Sequence, residues 1–199
     1  MAYLDFKPVL STSYFDLEAS KDDYDALADP YYRITGPNSA ISCIFDHRSN
    51  VLLVSQFRPS LGKNTLEFPA GAVDIGEEPV EAARREILEE TGHSASLFSI
   101  GSHFHLMMNR TNIRDYLFAG LLDTSRDVVE REAGIGIHWV SRETLLRTAL
   151  DGRYQQLAGL GILQLLGGVL GVDMWHSSDG IIVDALQDHL SRASSEESD

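Results

Sequence analysis

The stretch that decides the fold is residues 71–93, GAVDIGEEPVEAARREILEETGH. Pro79 suits the first position of an α-helix, because its φ is preset and its missing N–H has no intrahelical partner there. Gly92 supplies the left-handed residue at which helices commonly end. Between the two, apolar side chains recur at helical spacing and predict a buried stripe: Val80, Ala83 and Ile87. The stretch is therefore predicted to be a loop followed by an amphipathic helix.

The same helix carries acidic residues where a helix tolerates them least. Glu86, Glu89 and Glu90 lie three and four residues apart and share one face, where like charges repel by roughly 0.2–0.5 kcal/mol per pair. The last two also fall in the final turn, where the helix dipole favours cations. Hard oxygen ligands clustered on a rigid element are what Mg²⁺ or Mn²⁺ requires. The alternative is a solvated acidic face, softened by i,i+4 pairs of Arg85 with Glu81 and Glu89.

Eight fixed positions in this stretch resemble the Nudix box, G-x(5)-E-x(7)-R-E-U-x-E-E-x-G-U, in which U is a bulky apolar residue. They are Gly71, Glu77, Arg85, Glu86, Ile87, Glu89, Glu90 and Gly92. His93 is the one departure, and it concerns packing under the helix rather than a metal ligand. The resemblance implies an α/β Nudix fold, with a mixed β-sheet layered between α-helices as an α/β/α sandwich. It also implies hydrolysis of a nucleoside diphosphate linked to another group.

The resemblance assigns roles to the residues of the box. The expected metal ligands are the carbonyl oxygen of Ala70 and the carboxylates of Glu86, Glu89 and Glu90, and Glu89 also counts among the catalytic residues. Arg85 and Glu77 are expected to hold the loop against the helix through charge-assisted hydrogen bonds. The implied cofactor is Mg²⁺, with Mn²⁺ as a substitute.

Upstream of the box, the similarity narrows the substrate class. Residues 54–71, VSQFRPSLGKNTLEFPAG, are similar to the segment that leads into the box in pyrophosphatases of ADP-ribose and other nucleoside diphosphate sugars. In those enzymes the residues matching Arg58 and Glu67 contact substrate, and the planar fork of Arg58 suits bidentate phosphate recognition. A structural ion pair between Arg58 and Glu67 within the sheet is the alternative.

Downstream, residues 127–143, DVVEREAGIGIHWVSRE, resemble the family's late loop and strand. A Glu in that loop serves as general base near the metals in the family. Glu130 and Glu132 are the candidates, one to activate water and the other to bind metal. A plain solvated loop is the alternative.

The segment between the box and that loop keeps the family's general pattern, with one departure. Arg110 and Arg114 are candidate phosphate or ribose contacts. Where ADP-ribose enzymes often carry Ser-Pro-Gly, this chain has residues 107–109, Met-Met-Asn. The implied substrate is therefore ADP-ribose or a related sugar nucleotide such as GDP-mannose. A nucleotide-sensing module without catalysis, and a hydrolase of dinucleotides or capped RNA, are the alternatives.

Composition limits the partners. The formal net charge of −14 argues against nucleic acid or an anionic membrane as the main partner. Cys43 is the single cysteine, so neither a disulfide framework nor a thiolate metal site is expected. The N-terminus lacks the pattern of a secretion signal, which favours the cytoplasm. The apolar run at residues 157–171 is too short to span a membrane and predicts a buried helix or a helix at a subunit contact.

The chain divides by pattern into three segments. Residues 1–38 are predicted to form short strands, which by resemblance are a candidate interface of a homodimer. Residues 39–173 form the predicted Nudix domain, and residues 174–199 a helix followed by a disordered acidic tail. Turn signals and periodicity place strands near 31–35, 40–46, 51–57, 64–71, 94–106, 113–121 and 136–140. Helices are predicted after Ser141 to about Leu150, at 154–170 and at 180–191.

Overall fold

The computed structural model describes residues 5–20, 30–123 and 131–196, and within them the chain forms two β-sheets and four helices. The strands in chain order are β1 (Lys7–Ser11), β2 (Asp16–Ser20), β3 (Tyr31–Thr35), β4 (Ser39–Phe45), β5 (Val51–Arg58), β6 (Lys63–Glu67), β7 (Ala70–Ala72), β8 (Ala95–Phe104), β9 (Asp115–Leu122) and β10 (Gly136–Val140). The helices are α1 (Pro79–Thr91), α2 (Arg142–Leu150), α3 (Leu157–Leu170) and α4 (Asp179–Glu196).

The larger sheet has seven strands and is mixed. Its main path runs β10-β5-β4-β9-β8, with β6 paired to β5 and β7 paired to β4. β4 and β9 are parallel, whereas the other pairs are antiparallel. β4 and β5 pair only where Phe45 meets Val51, and beyond that point β5 takes β6 and β4 takes β7 as partner. The sheet therefore divides into two wings, and the connection from β6 to β7 bridges them.

Helices cover both faces of this sheet. α1 buries Ala82, Ala83 and Ile87 against one face, where the predicted apolar stripe lies. On the opposite face, α2, α3 and α4 form the larger core with alternate residues of β4, β5 and β9. Full burial of a Leu or Ile side chain stabilises the fold by roughly 1.5–3 kcal/mol, and α3 alone buries Ile162, Leu163 and Leu166. The predicted α/β/α layering is confirmed.

Three helix ends lie where the sequence placed them. α1 begins at Pro79 and ends at Gly92, whose φ of 70° is left-handed and whose N–H donates to the Leu88 carbonyl. α2 follows Ser141, whose hydroxyl accepts from the N–H of Thr144 at 3.1 Å. All three ends depend on residues within the same turn, which is why local pattern predicts them.

Two elements before the C-terminal helix differ from the prediction. Residues 64–71 form two strands rather than one, because Pro69 has no N–H for the ladder and its carbonyl instead accepts from the N–H of Ser42 at 2.9 Å. α3 begins at Leu157 rather than at Tyr154. The ring of Tyr154 is buried and packs edge-on against Phe68, with 6.3 Å between the ring centroids, and this contact holds the segment before the helix.

The C-terminal helix is longer than predicted. α4 continues through residues 192–196, five positions past the predicted end of the helix that were expected to belong to a disordered tail. The hydroxyl of Ser191 donates to the Gln187 carbonyl and Ala193 packs against the main core, so the last turns are anchored. Residues 197–199 lie outside the described part. The apolar run predicted to be a buried helix is α3, and no described helix is long and apolar enough to cross a membrane.

The smaller sheet, β1-β2-β3, is antiparallel and confirms the strand-rich start of the chain. The N–H of Ile34 donates to the Arg110 carbonyl at 2.7 Å, and Ile34 forms a parallel bridge with Thr111. The small sheet is thereby joined to the connection between β8 and β9. Its large apolar side chains include several that are exposed: Val9, Leu10, Tyr31, Tyr32 and Ile34.

Candidate active site

The box glycine allows β7 and α1 to approach closely. A Cβ built on Gly71 would lie 2.0 Å from the carboxyl carbon of Glu86. No real Cβ contact is that short, so any side chain here would displace the Glu86 carboxylate. Gly71 therefore sets the position of a predicted metal ligand.

Glu90 is a buried acid on the same side of α1. The residue is 4% exposed. Its Oε2 accepts a hydrogen bond from the N–H of Ala70 at 3.2 Å. Burial is the main cause that raises the pKa of Glu90, to about 8, and the negative charges of Glu86 and Glu132 add to it. The Ala70 N–H and the charge of Arg58 act in the opposite direction but are outweighed. Without a cation, this carboxyl keeps its proton at neutral pH.

Arg85 orients the acidic residues around it. Its guanidinium donates to both carboxylate oxygens of Glu77, at 2.9 and 3.0 Å, and to the Ala72 carbonyl at 2.9 Å. The same group donates to Glu86 at 2.6 Å and to Glu89 at 3.2 Å. Hydrogen bonding to Arg85 lowers the pKa of Glu77. The predicted tie between the box loop and the helix is confirmed.

Glu86 and Glu81 complete the acidic face. Burial raises the pKa of Glu86, although Arg85 opposes the shift. Glu81 pairs with Arg84 rather than with Arg85. Of the two i,i+4 pairs that the solvated-face alternative calls for, the structure has the one between Arg85 and Glu89. The guanidinium of Arg85 is drawn instead to the loop by Glu77.

One candidate general base reaches the cluster. The backbone N–H of Glu132 donates to the Glu89 carbonyl at 2.7 Å, so this loop is fastened to the C-terminal end of α1. The charge of Glu132 raises the pKa of both Glu86 and Glu90, which places its carboxylate near them. Glu130, the other candidate, lies outside the described residues.

Arg58 and Glu67 form an ion pair with each other. The Arg58 Nε lies 2.8 Å from Glu67 Oε1, and its Nη2 lies 2.5 Å from Oε2. Burial raises the pKa of Glu67, but hydrogen bonds from Arg58 and Thr65 outweigh burial and lower it. The structure thus contains the ion pair within the sheet that was the alternative to substrate binding by Arg58 and Glu67. Arg58 has five N–H donors, its side chain is 41% exposed, and its charge acts on Glu90, so it also faces the cluster.

Arg110 lies within the connection between β8 and β9, and Arg114 is its last residue before β9. The guanidinium of Arg110 sits over the ring of Tyr31, 5.2 Å from its centroid. The backbone N–H of Arg114 donates to the side chain of Asn38. These contacts tie Arg110 to the small sheet and Arg114 to the start of β4, and neither contact involves the acidic cluster.

Sequence reasoning missed Gln156. Its Oε1 accepts from the N–H of Phe68 at 2.9 Å and from the hydroxyl of Tyr154 at 3.1 Å. Phe68 stands between Glu67 and Ala70, so Gln156 fixes the corner that carries two predicted site residues. The sequence marks Gln156 only as the last polar residue before an apolar helix, and its partner lies 88 positions away.

The donor set fits a hard divalent cation. Carboxylates of α1 lie beside the backbone of β7, with Glu90 against Ala70 and Glu86 against Gly71, and oxygen ligands of this kind suit Mg²⁺ and Mn²⁺. Within the described residues, no three acidic, histidine or cysteine side chains already converge on a point that could hold an ion. Arg85 engages Glu86 and Glu89, and Glu90 bonds to Ala70. A bound ion would compete with these contacts. Its positive charge would also stabilise the ionised form of the buried Glu90 carboxyl.

Known proteins resemble this chain in sequence and in fold. Mouse ADP-sugar pyrophosphatase is 51% identical over 51 residues, which are 26% of this chain and 23% of that protein. The ADP-ribose pyrophosphatase of Mycobacterium tuberculosis (strain ATCC 25618 / H37Rv) is 30% identical over 123 residues, 59% of each chain. The chain thus matches less than two thirds of the length of either relative.

The fold has a solved counterpart. The crystal structure of an ADP compounds hydrolase superposes with a TM-score of 0.66 and 18% identity, covering 84% of this chain and 92% of that one. A model of the NUDIX domain matches residues 36–158, which include the box, Arg58, Glu67 and Glu132. Because that match covers more than half of the sequence, this chain belongs to the NUDIX family.

Proposed function

We propose that this chain is a Mg²⁺-dependent hydrolase that cleaves the pyrophosphate bond of a nucleoside diphosphate sugar. The substrate is ADP-ribose or a related sugar nucleotide such as GDP-mannose, and the products are a nucleoside monophosphate and a sugar phosphate. The observation that carries the proposal is the buried acid of Glu90, held against Ala70 beside Glu86 and Glu132. The similarity to proteins named ADP-sugar and ADP-ribose pyrophosphatase supports the substrate class.

The metal ligands in this proposal are Ala70, through its carbonyl oxygen, and Glu86, Glu89 and Glu90. When bound there, Mg²⁺ would neutralise charge that develops on the phosphoryl oxygens, and Mn²⁺ suits the same oxygen ligands. As a metal ligand Glu90 would have to be ionised, so metal binding would release its proton. Arg85 holds Glu86 and Glu89 through hydrogen bonds, and a bound ion would have to share or replace these contacts.

Proton transfer falls to the loop at the end of α1. Glu132 accepts the proton of the attacking water, since its carboxylate is near the cluster and its backbone is fastened to Glu89. Glu130 is the second candidate for this role. Arg58 binds a phosphate through the N–H groups that Glu67 leaves free, while Glu67 keeps the guanidinium in place. Arg110 and Arg114 are proposed as contacts to ribose or phosphate.

Two other functions are less well supported. A nucleotide-sensing module without catalysis would have no need of the full set of box carboxylates, and this chain retains all of them. A hydrolase of capped RNA or dinucleotides would gain from a basic surface, whereas the net charge here is −14.

Assembly and location complete the proposal. A homodimer through the small N-terminal sheet is supported by the exposed apolar side chains of β1 and β3. A cytoplasmic location accords with Cys43, a buried free thiol in a chain with no second cysteine to pair with.

A panel of nucleotide sugars, dinucleotides and capped RNA, assayed with Mg²⁺ and with EDTA, tests the reaction through released phosphomonoesters. We expect Glu90→Gln to lower kcat for the best substrate by about 100-fold or more, because a buried ligand is lost. The matched control is Glu81→Gln, which alters an exposed glutamate on the same helix that pairs with Arg84. Near-normal turnover of Glu90→Gln, or equal losses in both variants with unchanged folding, would rule out the proposed role.

A further inference from the structure

Arg58 and Glu67 reach along the sheet to meet each other. In the ladder between β5 and β6, Glu67 lies opposite Val54, four residues before Arg58 on the same strand. At the rise of a β-strand, that separation is about 13 Å. The two long side chains therefore lean toward each other over the cross-strand pair that lies between them, Gln56 and Thr65.

Thr65 contacts the ion pair at this midpoint. Its hydroxyl oxygen lies 2.5 Å from Oε1 of Glu67 and 3.3 Å from the backbone carbonyl oxygen of Gln56. A hydroxyl has one hydrogen, so it donates to the nearer acceptor, which is also the charged one. Threonine is branched at Cβ and has few χ1 rotamers on a strand. The hydroxyl is thus a donor whose position the backbone of β6 fixes.

This hydroxyl is what ties the ion pair to the sheet. Oε1 of Glu67 accepts from both Thr65 and the Nε of Arg58, and Oε2 accepts from Nη2 of Arg58. Arg58 and Glu67 have long side chains with many rotamers. Among the described residues, Thr65 supplies the one hydrogen bond that joins their side chains to a third residue. Without it, the arginine and the glutamate are free to swing as a unit.

The orientation of the pair decides where Arg58 points its remaining donors. A guanidinium has two edges that can each bind two oxygens, and Glu67 occupies the edge formed by Nε and Nη2. Nη1 forms no hydrogen bond with any described residue. The edge formed by Nη1 and Nη2 therefore remains for two oxygens of a phosphate. The Arg58 side chain is 41% exposed, and Glu90 acts on its charge, so this arginine faces the acidic cluster.

We propose that Thr65 is a positioning residue for phosphate binding, because its hydroxyl fixes the Glu67 carboxylate and thereby directs the free edge of Arg58 toward the substrate. The inference rests on the proposed function and adds a residue to the same site. Thr65 touches neither substrate nor metal in this arrangement, so its effect passes through Glu67 and Arg58. An arginine that binds phosphate equally before and during the reaction contributes to KM rather than to kcat.

Thr65→Val tests the role because it replaces the hydroxyl by a methyl group and keeps the branched shape that suits a strand. We expect KM for the preferred sugar nucleotide to rise about tenfold, with kcat changed by less than about twofold. Calorimetry with Mg²⁺ and α,β-methylene-ADP, whose bridging carbon replaces the cleavable oxygen, should show about tenfold weaker binding. Thr65→Ser retains the hydroxyl and should stay within about twofold of the native protein in both measurements.

A double-mutant cycle distinguishes positioning from general stability. Arg58→Lys removes the planar guanidinium on which the hydroxyl is proposed to act. In that background, Thr65→Val should weaken binding by less than about twofold, because the two changes interrupt the same interaction. Asn64→Ala is the matched control, since it alters the neighbouring exposed residue of β6, whose side chain points to the other face of the strand. It should leave binding and KM unchanged.

The outcomes separate this role from the proposed reaction. A protein that hydrolyses sugar nucleotides with an unchanged KM in Thr65→Val overturns the positioning role alone. So does a lower melting temperature with unaltered binding, or a full additional loss in the Arg58→Lys background. If the native protein binds α,β-methylene-ADP without hydrolysing any sugar nucleotide, a coupled loss in Thr65→Val supports the positioning role and the catalytic proposal alone fails. Absence of both binding and hydrolysis overturns both.

Discussion

Glu90 is the most buried of the box carboxylates, and its pKa is raised further than theirs because burial disfavours its charged form. With a pKa of about 8 in the metal-free protein, it carries a proton that a divalent ion must displace. We expect the affinity for Mg²⁺ to rise about tenfold from pH 6 to pH 7 and about twofold from pH 8 to pH 9. Titration calorimetry in buffers of different ionisation enthalpy measures both the affinity and the released proton.

Stability must follow the same titration. The folded pKa of Glu90 lies above its unfolded value near 4.5, so its contribution to metal-free stability is full below pH 4.5 and is lost as the pH rises through 8. Mg²⁺ should therefore raise the melting temperature more at pH 8 than at pH 6. Glu90→Gln, which has no proton to lose, is the control. An affinity that is flat from pH 6 to pH 8 in the native protein would contradict the assignment.

At the scale of elements, the start of α3 supports the corner between β6 and β7. Replacing Gln156 by Met removes the acceptor of the Phe68 N–H, and a lost hydrogen bond of this kind costs about 0.5–1.5 kcal/mol. We expect Gln156→Met to raise the Mg²⁺ concentration for half-maximal activity by about fivefold, because the Ala70 carbonyl is held less well.

Two variants serve as controls for Gln156→Met: one at the neighbouring Gln155 and one that keeps an oxygen acceptor at position 156. Gln155 contacts only the exposed Lys63 among the described partners, so Gln155→Met should leave the Mg²⁺ requirement unchanged. Gln156→Glu keeps an oxygen acceptor and should restore much of the native requirement. A general loss of melting temperature in Gln156→Met with an unaltered Mg²⁺ requirement would show that the residue serves stability alone.

Gln156 also marks where prediction from the sequence ends. α1 and α2 were predictable because Pro79, Gly92 and Ser141 act within one helical turn. The acidic cluster was predictable because its members lie on that one helix. The contact from Gln156 to Phe68 depends on the packing of distant segments, and no local pattern encodes it. The continuation of α4 past Ser191 likewise depends on the core against which Ala193 packs.

At the scale of the whole molecule, the net charge affects how substrate approaches, and the layered architecture determines where the acidic cluster lies. A protein with a net charge of −14 repels an anionic substrate at long range, so binding must depend on positive charge supplied locally. The three layers position the acidic cluster on the side of α1, where Glu90 is held against the backbone of β7.

The small N-terminal sheet is the surface that we propose a second copy of the chain covers. Every residue of β1 is exposed, including Val9 at 57%, and stable interfaces bury about 1,200–2,000 Å² in total with an apolar centre. We expect light scattering with size exclusion to give twice the mass of the chain, and Val9→Asp to give the mass of one chain. Leu157→Asp, at an apolar position of α3 that is 79% exposed, should remain dimeric. A native protein that is monomeric at high concentration, or a dimer that Val9→Asp leaves intact, would exclude this sheet as the interface.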